Sequence, residues 1–84
     1  MKMLDWFLIY LQERGGPEET KLLMNRYMDE YPKRIRNMPS TTGVTSLLRC
    51  DRRFAKDSGG KRVKWSVSED GKKWLEEREP QRGD

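Results

Sequence analysis

Ser40-Thr41-Thr42-Gly43-Val44-Thr45-Ser46-Leu47-Leu48-Arg49-Cys50, then Arg53-Phe54, then Val63-Lys64-Trp65-Ser66-Val67, is the stretch on which the fold turns. Its first part has a helical period. Ser40 or Thr41 supplies the N-cap hydroxyl. At about 100° per residue, Val44, Leu47 and Leu48 fall on one face, and Thr42, Thr45, Ser46 and Arg49 project from the other. No acidic residue occurs from Ser40 through Cys50. Beyond Arg53 the period changes to two. Phe54 opens a short strand, Asp57-Ser58-Gly59-Gly60 is a turn signal, and Val63, Trp65 and Val67 alternate with Lys64 and Ser66 as a half-buried return strand does. The stretch therefore reads as a helix followed by a hairpin.

Two helices precede it. Leu4, Phe7, Leu8 and Leu11 keep the i, i+3, i+4, i+7 spacing of a buried stripe, widened by Met3, Trp6 and Tyr10. Gly15-Gly16-Pro17 stops this helix, and Pro17 suits the first turn of the next. Glu18 and Glu19 then lie at the positive end of the second helix dipole. That helix is expected to run to about Tyr31, with Leu23, Met24, Tyr27, Met28 and Tyr31 as its apolar face and Pro32 as its stop. Residues 33–39 form a basic connector. After the hairpin, Ser68-Glu69-Asp70-Gly71 introduces a closing helix that carries Trp74 and Leu75. The order is α-α-α-β-β-α, a mainly α fold with a small β-hairpin (α+β). One domain is expected over residues 1–78, with 79–84 as a frayed tail.

Charge is distributed unevenly over this order. Between Lys33 and Lys64 there are ten Lys and Arg against two Asp and Glu, a net +8. The remaining residues carry eight against twelve, a net −4. Charge kept only for solubility has no reason to segregate in this way. Concentration on one helix, one connector and one hairpin points to a surface that faces phosphates.

Composition excludes several classes of chemistry. With no His and one Cys among 84 residues, the usual Cys/His zinc sites and imidazole-dependent triads are ruled out. A lone Cys50 cannot make an internal disulfide, which fits a reducing, cytoplasmic setting, and its place beside the Leu47/Leu48 stripe suggests a small buried residue. The carboxylate neighbours Asp29/Glu30 and Glu76/Glu77 point apart on a helix and read as solvated faces. Met1 to Leu11 is too short to span a bilayer and reads as a core helix. Arg82-Gly83-Asp84 spells a cell-adhesion tripeptide by chance. No phosphate loop, nucleophile elbow or metal constellation occurs. The expectation is a non-enzyme with no cofactor, no metal, no membrane association and no small-molecule ligand.

The element order, the Ser40–Arg49 segment, Arg53-Phe54, the Gly59-Gly60 turn and Val63–Val67 together resemble the winged helix-turn-helix family, particularly its small archaeal or phage-type DNA-binding domains. The resemblance is one of residue types and covers about two-thirds of the chain. Members often place a short strand between the first two helices, where this chain has Gly15-Gly16-Pro17, which is poor strand material. The resemblance implies duplex DNA as partner, and a small transcriptional regulator or accessory DNA-binding protein of prokaryotic or viral source. The third helix would enter the major groove with Ser40, Thr41, Thr42, Thr45, Ser46 and Arg49. The wing and backbone contacts would fall to Lys33, Arg34, Arg36, Arg53, Lys56, Lys61, Arg62 and Lys64. Two alternatives remain open. One is an interaction module, or a homodimer, using the apolar surplus of the first helix at Met1, Met3, Trp6, Ile9 and Tyr10. The other is RNA binding, which favours exposed aromatic residues on the basic face. Phe54 and Trp65 are read as buried, so duplex DNA is preferred.

Overall fold

The computed structural model describes residues 2–33, 38–57, 60 and 62–78, with the side chain of residue 78 excepted. Helix α1 (Met3–Arg14) is followed by α2 (Thr20–Glu30) and α3 (Thr41–Cys50). Strands β1 (Phe54–Asp57) and β2 (Lys64–Val67) pair antiparallel, and α4 (Glu69–Arg78) closes the order. The expected α-α-α-β-β-α succession is therefore present.

Each junction has a local cause. Gly15 takes φ 78°, and its amide closes on the Leu11 carbonyl at 2.9 Å, a left-handed stop that a residue with a Cβ adopts only under strain. The second helix begins later than expected. Pro17 lies before it, Glu19 is its N-cap, and Thr20 is its first residue. Glu18, rather than sitting in a helical turn, pairs with Trp65. The Glu18 amide donates to the Trp65 carbonyl at 3.0 Å, and the Trp65 amide returns a 2.7 Å bond. This reciprocal exchange is the hydrogen-bonded pair of an antiparallel ladder. A single residue thus occupies a strand position between α1 and α2, and β2 has a backbone partner on both edges, β1 on one and Glu18, opposite Trp65, on the other.

Ser40 caps α3 by accepting from the Gly43 amide at 3.2 Å. Ser68 does the same for α4, accepting from the Gly71 amide at 3.2 Å, while its hydroxyl donates to the Arg52 carbonyl. Gly71 is consequently inside α4, not in its lead-in, and it is buried. A Cβ at this position would lie 2.3 Å from the Arg53 carbonyl oxygen and 2.8 Å from Val67 Cγ1. The glycine is what lets α4 lie against the α3–β1 link.

The core gathers side chains from all six elements: Phe7, Leu8 and Leu11; Leu23, Met24 and Tyr27; Val44 and Leu48; Phe54; Trp65; and Leu75. Phe7, Leu8, Leu23, Val44 and Leu48 have no exposed surface. The surplus apolar residues of α1 are half-buried rather than bare. Trp6 stacks on Tyr10 with centroids 5.3 Å apart and planes 9° apart, and it meets the Tyr27 ring edge-on at 5.5 Å. Met3 and Ile9 also pack on the core, and Met1 lies outside the described residues. Two apolar expectations are overturned. Leu47 is 45% exposed and Val63, which precedes β2, is 39% exposed. Val44 and Leu48 alone fill the width of core that α3 offers.

Candidate nucleic-acid interface

The outward face of α3 follows from which of its side chains the core takes. With Val44 and Leu48 buried, the residues farthest round the helix are Thr42, Ser46, Arg49 and Cys50, and all four are exposed. Thr42, Ser46 and Arg49 stand at i, i+4 and i+7, so they form one row along the helix. Thr41 is exposed at its start. Ser40 is exposed, but its hydroxyl oxygen is occupied by the Gly43 amide, so that amide is not free to hold a phosphate.

Thr45 does not belong to this row. Its hydroxyl donates to the Thr41 carbonyl at 2.8 Å, and its oxygen lies 3.3 Å from Thr20 Oγ1. Thr20 in turn accepts from Trp65 Nε1 at 2.9 Å in a buried bond. At about 80° from the middle of the Val44/Leu48 stripe, Thr45 is at the edge of the helix face, and the Thr20 hydroxyl draws it inward. Cys50 is the reverse correction, being exposed where a buried residue was expected.

The basic side chains divide by what they touch. Lys33, Lys56 and Lys64 are exposed. Arg62 is also exposed, and its Nη1 lies 3.4 Å from Glu19 Oε1 at the start of α2. Arg34, Arg36 and Lys61 lie outside the described residues. Arg53 has a different position from the one expected of a phosphate contact. Its Nε and Nη2 grip the Asp51 carboxylate at 2.7 to 3.1 Å, and its Nη1 reaches Asp5 Oδ1 at 2.8 Å. Its guanidinium carbon also lies 4.9 Å from the Trp74 ring centroid. The side chain is only 21% exposed. It clamps α1, the α3–β1 link and α4 together.

This clamp sets the local ionisation. Burial by itself pushes the Asp51 carboxyl up, but hydrogen bonds from the Arg53 guanidinium and backbone amide, with the guanidinium charge, outweigh it and hold the group below its ordinary 3.8. The hydrogen bond to Asp51 raises Arg53 against the opposing effect of burial, and Asp5 adds to the rise. Arg53 is permanently charged and internally neutralised.

Arg52 is the residue that sequence reasoning passed over. It is exposed immediately beyond α3 and makes no ion pair with any described residue. Alternation back from the buried Phe54 would turn Arg52 inward and Arg53 outward. The Asp51 turn breaks that alternation, since the Phe54 and Arg53 amides both donate to Asp51, at 3.2 and 2.9 Å.

The exposed set on these elements thus contains Thr42, Ser46 and Arg49 in one row on α3, Arg52 beyond its end, Lys56 and Lys64 on opposite faces of the hairpin, and Arg62 beside it. It can offer hydroxyl and guanidinium donors to base edges and cations to phosphates. The aromatic side chains of the hairpin are not on offer for stacking, because Phe54 and Trp65 are 6% and 2% exposed. Among the described residues, no group of three or more His, Cys, Asp or Glu is placed to hold a metal ion, and no helix is long and apolar enough to cross a membrane. No protein-family model, curated protein or solved structure matches this chain.

Proposed function

We propose that this protein binds duplex DNA in the manner of a winged helix, with α3 in the major groove and the hairpin against the backbone or adjacent minor groove. The observation that carries the reading is the row Thr42–Ser46–Arg49, exposed on a helix without an acidic residue and continued by exposed Arg52. A helix fits the major groove, its hydroxyls can meet bases or phosphates, and Arg can pair bidentately with guanine. The one-residue ladder at Glu18–Trp65 further supports the likeness, since it stands where the family often places a short strand. The role is that of a small regulator or accessory protein of DNA.

Titration of labelled duplex and single-stranded DNA across a salt series tests it. Duplex affinity is expected to fall with salt at a slope of about −0.9 per phosphate neutralised, and duplex is expected to be preferred over single strand. Arg49→Ala should relax discrimination at one base position, whereas Arg62→Ala should weaken all sequences alike. Duplex binding absent at low salt, or unchanged in both variants, overturns the reading.

A further inference from the structure

We infer that Leu47 reads the 5-methyl group of a thymine in the major groove, an inference that rests on the DNA-binding reading and adds a sequence preference to it. Beside the polar row Thr42–Ser46–Arg49 runs a second one, Gly43–Leu47–Cys50, with the same i, i+4, i+7 spacing. Leu47 is 45% exposed and Cys50 is exposed, so this row faces outward with its neighbour. A single exposed leucine on an ordinary surface has no meaning. Here it stands next to Ser46, one residue from Leu48, which has no exposed surface, on the helix that carries Arg49. The core has taken what it needs from α3 and left Leu47 out.

The shape of the row fits a methyl group. A helical side chain leans toward the N-terminus, so Leu47 lies over the turn that contains Gly43. Gly43 has no Cβ, and a Cβ there would meet Pro39 Cβ at 3.3 Å. Leu47 is therefore the apolar side chain this row presents, beside a position without one that Pro39 and Ser40 flank. In the major groove the thymine C5-methyl is the apolar feature of the base edges, and it is met by apolar side chains. Lys and Arg on both sides of α3, and no acid within it, favour a nucleic-acid occupant over a protein one. With the polar row directed at one side of the groove floor, the apolar row lies toward the other. The target is therefore expected to place thymine within a base pair or two of the guanine that Arg49 would read.

The experiment starts from a randomised duplex pool, from which the protein selects its best binder. That duplex is then remade with deoxyuridine for each thymidine in turn. Removal of the methyl at one position is expected to weaken binding about fourfold, the worth of one buried methyl group. In Leu47→Ala the thymine and uracil duplexes should bind equally, while the guanine preference attributed to Arg49 is retained. Placing 5-methylcytosine at the critical position should restore affinity over cytosine, which separates the methyl group from the thymine O4 acceptor. Salt-dependent duplex binding with no thymine-to-uracil effect, or an effect that persists in Leu47→Ala, overturns the inference and leaves DNA binding intact. A Leu47→Ala variant with unchanged DNA discrimination and altered sedimentation assigns Leu47 to a protein contact and also overturns it. No duplex binding at all overturns the parent reading instead.

Discussion

Trp65 of the hairpin and Thr20 at the start of α2 share a buried hydrogen bond, Nε1 to Oγ1 at 2.9 Å, and the same Thr20 oxygen lies 3.3 Å from the Thr45 hydroxyl on α3. One side chain therefore touches both elements of the proposed reading surface. Because Thr45 directs its proton to the Thr41 carbonyl at 2.8 Å, the Thr20 proton is available to the Thr45 oxygen, and the Thr20 and Thr45 hydroxyls are both satisfied. The angle between helix and hairpin is set by polar contacts of defined geometry as well as by packing.

Thr20→Val preserves shape and removes the acceptor. The Trp65 N–H is then left buried without a partner, at a cost of about 1–3 kcal/mol. For a domain of this size that corresponds to a fall of several degrees in Tm, with roughly 4–8 °C for each kcal/mol. Thr20→Ser keeps the hydroxyl and should lose about 0.8 kcal/mol for the missing methyl group. Thermal denaturation of both variants beside the parent checks the point: a Val variant as stable as the parent would show that the bond contributes nothing.

The Asp51–Arg53 clamp predicts an acid limb in the stability profile. Asp51 is depressed in the folded state, so its contribution is fully present above the ordinary carboxylate value and is lost as pH falls through the lower folded value. Arg53 is raised, so its contribution is present throughout the usual range and would be lost only in strong alkali. Asp51→Asn should therefore be less stable than the parent at neutral pH, with the difference narrowing below about pH 4. Urea denaturation at neutral pH and again in acid measures it. A constant difference at all pH values would remove the ionised Asp51 from the account.

Gly71→Ala sets helix propensity against packing. Alanine is favoured over glycine in a helix interior by about 1 kcal/mol. Its Cβ would, however, lie 2.3 Å from the Arg53 carbonyl oxygen and 3.1 Å from Leu8 Cδ2, and the first of these is backbone that cannot rotate away. Overpacking of this kind costs about 1–3 kcal/mol or more, so packing wins and the variant is expected to unfold at lower urea concentration than the parent. Equal or greater stability would mean that the α4 contact with the α3–β1 link yields easily.

What the sequence made legible is what local period and end chemistry encode: the Leu4–Leu11 stripe, the Gly15 stop, the Ser40 cap, and Trp65 as a core residue of an alternating strand. The misreadings all come from contacts between elements. Thr45 lies at the margin of its helix face, and a hydroxyl 25 residues away decides its direction. Leu47 falls by period on the same face as Val44 and Leu48, and Cys50 follows that stripe, yet the space under α3 is filled by Val44 and Leu48. The Glu18–Trp65 pair has no local signal, since a one-residue strand has no period. Arg53 has the residue type of a phosphate contact, and only the approach of Asp5, 48 residues distant, reveals an internal partner.

The separation of Arg53 from the exposed cations gives a test that distinguishes holding the fold from holding DNA. Removing Arg52, Lys56 or Lys64 should leave Tm nearly unchanged, because surface substitutions away from such networks usually stay within about 0.5 kcal/mol. Each cation that meets a phosphate should, when removed, reduce the salt slope of duplex binding by about 0.9. Arg53→Ala should do the opposite, lowering Tm while leaving the slope unchanged where the protein remains folded, since its charge is already matched by Asp51 and Asp5. Arg62 lies between these cases. Its contact with Glu19 is 3.4 Å long with the Arg62 side chain 79% exposed, so it is weak, but a phosphate would have to compete with it. Glu19→Gln should therefore raise duplex affinity modestly at low salt, and the gain should vanish at high salt. If Glu19→Gln has no effect while Arg62→Ala weakens binding, the two residues do not compete. If Arg53→Ala changes the slope as much as Arg52→Ala, the clamp opens on binding and Arg53 returns to the interface.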